Sequence, residues 1–270
     1  MKYMGLLLVY IALSYQLAYA KKIYTKEYIT NPHQSDGFGS QFQSIIAAVV
    51  YAELNNKEFV YTPFSRMEHN YQNDPYFLAK KEQCINFIGN VELNKEIYNA
   101  NEHIKYKAFF DTNIKICANS TALQKIKQIF RANKNRTDYF NNKNLNIAIH
   151  IRRHNIHDNR IDGTNTPNQL FLDIINQLRI LYITENPLFH IYSQGNTEQF
   201  KLYEACDIVM HLNESIEDTF IPLVFADILV TSASSFSYTA ALLSDGIVYY
   251  IPFWHKPLPH WISVHELLKK

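Results

Sequence analysis

The amino-acid sequence predicts an α/β protein whose parallel sheets are flanked by helices and whose chain is divided into two lobes. Three observations carry that expectation. From residue 145 to residue 251, short β-branched or aromatic runs alternate with stretches of helical spacing, which is the pattern of right-handed βαβ units. The run Asn141-Asn142-Lys143-Asn144 has turn chemistry and no apolar face, so it separates that region from a different one upstream. The chain has 270 residues, of which 47% are hydrophobic and 19% charged. That is enough for one large domain or two small ones with real cores, and it excludes a disordered chain.

Taken in order, residues 1–20 comprise Met1-Lys2, an apolar run from Leu6 to Ala20 and a small-residue ending, Ala18-Tyr19-Ala20, followed by Lys21-Lys22. This reads as a secretory signal; the run is short for a bilayer span of about 20 residues, so a retained signal anchor is the second choice. The expected location is the lumen of the secretory pathway (endoplasmic reticulum or Golgi) or outside the cell, with membrane contact only through an uncleaved leader. Turn residues cluster from Asn31 to Gly39, a helical pattern runs from Ser40 to Leu54, and Glu58 to Thr62 reads as a strand before Pro63. The stretch from Ser65 to about Tyr98 shows no clear period. A basic, Asn-rich segment, Lys125 to Lys143, reads as a helix and then a linker, which divides the chain into an N-terminal α/β lobe, 21–142, and a C-terminal lobe, 143–270.

In the second lobe, Leu145 to Arg152 alternates with period two, Asn168 to Leu181 has helical spacing, Leu188 to Tyr192 is a strand and Glu198 to Cys206 a helix. Ile208 to Met210 is short and apolar, Asp227 to Thr231 is another strand, Ser235 to Ser244 a helix stopped at Gly246, and Ile247 to Ile251 a last strand. Ligands of parallel sheets sit beyond the carboxyl ends of the strands, so residues just after strands carry the functional weight.

Composition narrows the function. Lys+Arg 26 against Asp+Glu 25 leaves a net charge of +1, so no long-range field collects nucleic acid and any phosphate must be recognised locally. Three scattered cysteines, Cys84, Cys117 and Cys206, form no C-x-x-C, which removes zinc ribbons and thioredoxin-type chemistry. No two aspartates stand two apart, so a D-x-D metal clamp is missing and protein donors must neutralise a leaving group.

Three clusters carry chemistry. His150-Ile151-Arg152-Arg153 ends the period-two strand, with His150 and Arg152 on one face and Arg153 on the other. Guanidinium forks suit phosphate oxygens and keep their charge; the plainer alternative is a surface strand end with paired arginines. A metal site from His150, His154, His157 and Asp158 needs helical spacing where the residues read as strand. Thr231-Ser232-Ala233-Ser234-Ser235-Phe236-Ser237 joins a strand to a helix, where small hydroxyl residues cap the helix and admit an anion to its free N–H groups. Glu217-Asp218 lies upstream as possible acceptors for a base or ribose, or as solvated carboxylates. Gly37-Phe38-Gly39-Ser40-Gln41 is a glycine turn ahead of a helix and matches neither a dinucleotide fingerprint nor a Walker loop.

In this order and spacing, Gly-x-Gly-x-Gln at 37–41, His-x-Arg-Arg at 150–153 and Asp-strand-Ser-Ser-Phe-Ser at 227–237 resemble the fucosyltransferases of the α1,2 and α1,6 type. The resemblance implies a GT-B-like fold of two Rossmann-like lobes, GDP-fucose as donor substrate, a glycan acceptor bound at the N-terminal lobe, inversion at the sugar, and neither metal nor cofactor. Carried onto this sequence, it implies that His150 lies against the nucleotide, Arg152 binds the β-phosphate and Ser234 or Ser235 contacts the diphosphate. Asp218 corresponds to the base-reading aspartate, and Gly37, Gly39 and Arg153 complete the donor-binding set. The departures are Asn155 where the family carries an aspartate, and Ser40 where its glycine turn carries an asparagine. Asp158 and Asp162, after Arg153, are the candidate general bases beside catalytic Arg152. The alternatives are a nucleotide-sugar-binding homologue without activity and a lumenal phosphohydrolase, which lacks a recognisable nucleophile.

Overall fold

The computed structural model describes residues 27–31, 33–93, 102–153 and 166–269. The chain opens with β1 (Tyr28–Thr30), α1 (Phe38–Leu54) and β2 (Glu58–Val60), a βαβ unit whose two strands pair in parallel. Helices α2 (Phe77–Ile85), α3 (Glu102–Thr112), α4 (Ile114–Ala118) and α5 (Thr121–Arg131) follow. From there a six-stranded sheet is laid down: β3 (Leu145–Ile151), α6 (Asn168–Leu181), β4 (Pro187–Ser193), β5 (Ile208–Leu212), α7 (Ile216–Phe225), β6 (Ile228–Val230), α8 (Ser235–Leu243), β7 (Ile247–Tyr250), β8 (Ile262–Ser263) and α9 (Val264–Leu267).

All six strands are parallel, in the order β5-β4-β3-β6-β7-β8. The chain therefore winds outward from β3 to β5, then returns across β3 to lay β6 on its other side. The reversal leaves a crevice beyond the carboxyl ends of β3 and β6, the place where open α/β sheets bind ligands.

Period two in β3 does not mark a wet face. Ile147, Ile149 and Ile151 pack with Phe171, Ile174, Ile175 and Leu178 of α6 and with α9, whereas Asn146, Ala148 and His150 are buried on the other face. Ala148, Tyr192, Leu229, Val248 and Tyr250 join that second face to a larger core containing α1, α5, α7 and α8. A central parallel strand is covered on both sides, so the alternation separates aliphatic from small and polar side chains.

The larger core spans the expected linker. Thirteen of the 17 residues of α1 are buried, too many for one apolar stripe, because the helix is covered by neighbours from both parts of the chain. Buried Lys81 of α2 also meets Glu217 of α7 at 2.6 Å, and Arg136 meets Asp227 at 2.6 Å.

Differences from the sequence expectations have local causes. The region read as a helix from Glu198 to Cys206 is a 3-10 turn, Thr197–Tyr203, opened by the Asn196 side chain accepting from Gln199 N. Helix α7 contains Pro222 in its interior and begins at the Ser215 cap, so its sequence shows a proline-broken apolar run rather than a helical period. The leader, residues 1–20, lies outside the described residues, and among those no helix is long and apolar enough to cross a membrane.

Candidate functional site

His150 is the last inward-facing residue of β3. Its Nδ1 hydrogen-bonds the Ser232 hydroxyl beyond β6 at 2.8 Å, and its ring packs on Phe236 of α8 at 5.3 Å. Burial, with the charge of Arg152 nearby, pushes its pKa down to about 3. The imidazole is therefore neutral, and the positive charge at this strand end belongs to the arginines.

The serine cluster divides its work. Ser232 N donates to Ser237 Oγ at 3.1 Å and Ser234 N to Ser232 O at 2.7 Å, closing the turn onto the helix. Ser234 Oγ accepts from Phe236 N at 3.3 Å and is the N-cap of α8. Thr231 Oγ1 accepts from Ile251 N at 3.1 Å, fastening the end of β6 to the chain leaving β7. Ser235, half-buried at the first position of the helix, stands where the initial N–H groups have no intrahelical acceptors. Together with the aligned peptide dipoles, that start attracts an anion.

The two arginines part company. Arg152, half-buried just past β3, is close enough for its charge to act on His150. Arg153 turns to the other side: its guanidinium donates to Thr166 O at 2.8 Å and to Asn168 Oδ1, and lies over the Phe200 ring at 5.5 Å. Arg153 thus fastens the start of α6 to the sheet, while the charge of Arg152 acts on His150.

The glycine turn reaches the same helix start from the opposite half of the sequence. A Cβ on Gly39 would stand 2.4 Å from Phe236 Cα and 2.6 Å from Phe236 N, so only glycine lets the first turn of α1 lie against the first turn of α8. Thr239 Oγ1 locks the contact by donating to Gly39 O at 2.9 Å. A Cβ on Gly37 would meet the His69 ring at 2.9 Å. Gln41 Nε2 closes the turn by donating to the carbonyls of Asp36 (2.7 Å) and Arg66 (2.8 Å). Ser40 Oγ donates to Asp36 Oδ2 at 2.5 Å and accepts from Lys107 Nζ of α3 at 2.8 Å. Burial pushes the Lys107 amine down to about 8 against the pull of Asp36 and Asp111. Beside this turn lies a cavity of about 430 Å³ lined by His33, Gln34, Ser35, Asp36, Ser65 and Arg66.

The structure thus joins His150 to Ser232 and Phe236, sets Gly39 against Ser235 and Phe236 and Gly37 against His69, keeps the charge of Arg152 near His150, and sends the Arg153 fork elsewhere. Asp218 lies in the first turn of α7, accepting from Ser215 Oγ at 2.8 Å and donating its backbone N–H to that oxygen at 3.0 Å. Its neighbour Glu217 is spent on Lys81. Asp158 and Asp162, with His154, Asn155 and His157, lie outside the described residues. Among the described residues no group of three or more His, Cys, Asp or Glu side chains is placed to hold a metal ion. Sequence reasoning missed Lys107, whose segment lacks any motif, and missed Ser232 as the partner of His150; the spacing of the two motifs carries no sign of that bond.

No family model matches the chain, and no curated protein matches it. Among solved structures it is similar to the fucosyltransferase NodZ from Bradyrhizobium (10% identity over 82% of this chain and 94% of that one, TM-score 0.43). It is also similar to POFUT1 in complex with GDP (14% identity, 85% of this chain and 99% of that one, TM-score 0.46). A third likeness is to POFUT1 in complex with GDP-fucose (12% identity, 89% and 98%, TM-score 0.44).

Proposed function

We propose that this chain is a glycosyltransferase that moves fucose from GDP-fucose to a glycan hydroxyl, with inversion and without a metal ion, in the lumen of the secretory pathway. The observation that carries the reading is the crevice where the sheet reverses, with Arg152 at the end of β3 and the capped start of α8 beyond β6. The guanine and fucose specificity comes from the resemblance of the His-Ile-Arg-Arg and Ser-Ser-Phe-Ser pieces to that family.

As the bond from the anomeric carbon to the diphosphate breaks, charge grows on the β-phosphate oxygens. Arg152 and the N–H groups at the α8 start then bind more strongly than in the ground state, which lowers the barrier. Neutral His150, held by Ser232, gives the nucleotide a polar wall without adding a charge that competes with Arg152. The incoming hydroxyl gives its proton to a protein base.

Calorimetry with GDP, ADP, UDP and CDP, followed by incubation with radiolabelled nucleotide sugars, tests this. Tight binding of GDP alone with release of GDP from GDP-fucose is expected. GDP binding without turnover would leave the inactive nucleotide-sugar-binding homologue, and equal binding of all four would overturn the guanine assignment.

A further inference from the structure

We propose that the corner between α3 and the loop after β7 is the acceptor site, where a neutral saccharide ring lies on Trp254 and His255, oriented by Asp111, takes the proton of its attacking hydroxyl; this rests on the glycosyl transfer proposed above. His255 Nδ1 lies 2.9 Å from Asp111 Oδ2, and Lys256 N donates to Asp111 Oδ1 at 3.2 Å. Both oxygens of the carboxylate are engaged, so it cannot swing. A carboxylate only accepts, which puts a hydrogen on Nδ1 and makes Nε2 the nitrogen that takes up and gives back a proton. The imidazole is walled by Tyr238 at 5.1 Å, Phe253 at 5.4 Å and Trp254 at 6.3 Å. Its side chain keeps 9% exposure, while Trp254 is 74% exposed. A large aromatic face left in water beside a fixed acid–base pair suits a sugar ring, whose C–H faces stack on aromatics while its hydroxyls reach polar groups.

The corner adjoins the crevice. The β7 loop leaves the same sheet edge as the serine cluster and is tied to it by the bond from Ile251 to Thr231. Tyr238, against His255, stands two residues after Phe236, against His150; at about 100° per residue the two rings point to opposite flanks of α8. Lys107, one helical turn before Asp111, reaches Ser40 in the glycine turn. The His–Asp pair and the donor crevice thus both border α8, His150 through Phe236 and His255 through Tyr238.

The step balances. The acceptor oxygen forms its bond to the anomeric carbon, its proton passes to His255 Nε2, and the carbon–oxygen bond to the diphosphate breaks with its electron pair leaving on GDP. Asp111 stabilises the imidazolium that results.

The full chain is assayed with GDP-fucose as donor and with lactose and N,N′-diacetylchitobiose as acceptor probes, following GDP release, product mass and acrylamide quenching of Trp254. The second tryptophan, Trp261, is buried. At least one saccharide is expected to stimulate GDP release and shield Trp254. Trp254→Ala, at an exposed position, raises acceptor KM roughly tenfold with the Kd for GDP unchanged. His255→Gln lowers transfer kcat on the order of 10²-fold, and added imidazole restores part of the activity of His255→Gly. Asp111→Asn lowers kcat with acceptor KM and Trp254 quenching unchanged, which a mere loop brace would not do. Unaltered transfer in folded His255→Gln and Trp254→Ala overturns the proposal, as does shielding of Trp254 by a serine or threonine peptide and by neither saccharide. Failure of the wild-type chain to bind GDP overturns the donor reading instead, and the saccharide shielding of Trp254 is read independently of it.

Discussion

The segment before β3 and the sheet from β3 onward bring different chemistry to one place. From the sheet come Arg152, a neutral imidazole and a hydroxyl-capped helix start, the groups proposed above to meet the diphosphate. The earlier segment contributes titratable groups already paired, Asp36 with Ser40 and Lys107, and Asp111 with His255, and it enters the crevice through a glycine with no side chain at all. A parallel sheet fixes strand ends rigidly, so it suits the ligand whose charge must be met at fixed points. Helices joined by long loops suit a partner whose shape varies.

The sharpest way to break this division is at the close approach of Gly39 to Phe236. Gly39→Ala places a Cβ where Phe236 already is, an overpacking that costs on the order of 1–3 kcal/mol or more. Urea unfolding is expected to show that loss, and GDP binding and turnover should fall together because both halves of the crevice move. Arg152→Ala is expected to leave folding intact and to lower kcat on the order of 10²-fold, more than it raises donor KM. Arg152→Lys should recover only part, since it keeps the charge and loses the fork. A wild-type kcat in Arg152→Ala would reduce this residue to a surface cation.

Acid tests the sheet side of the comparison by another route. Burial holds His150 neutral down to about pH 3 and His190, beside His211, down to about 4, whereas both titrate near 6.5 when unfolded. Between those values the unfolded chain binds more protons, so stability is full above about 6.5 and is lost as pH falls. The cost at pH 5 is on the order of 2 kcal/mol per histidine. Urea midpoints at pH 7 and pH 5 measure it, and His150→Gln should flatten the slope. Arg153→Ala, which unties α6 on the far face, should cost about 1 kcal/mol of stability and leave kcat within a few-fold. The smallest effect is expected from EDTA, which should leave donor turnover unchanged within about twofold, because the proposed mechanism gives the leaving group's charge to Arg152 and the α8 start.

Much of the sheet was legible because its strands are short apolar runs closed by turns; Asn168–Leu181 is a helix over the whole predicted span. The three motifs were legible as strand ends and helix starts, where local chemistry is decisive. What period and propensity could not reveal was tertiary. The contact of Gly39 with Phe236 depends on the return of the chain across β3, and the Asp111–His255 pair joins residues from a segment without a motif. Alternation already put the second arginine on the opposite face of β3, and it entered the donor-binding set only through the family resemblance, which carries no account of its partners Thr166 and Asn168.

The burial of α1 also dictates an order of events during synthesis. This apolar helix is finished by residue 54, yet one wall of its packing is α8, complete only at residue 243. At about 5–20 residues per second, the ribosome takes roughly 10–40 s to cover that interval. Throughout it the face of α1 that α8 will cover lacks its native partner, so this part of the core closes only after almost the whole chain has been made.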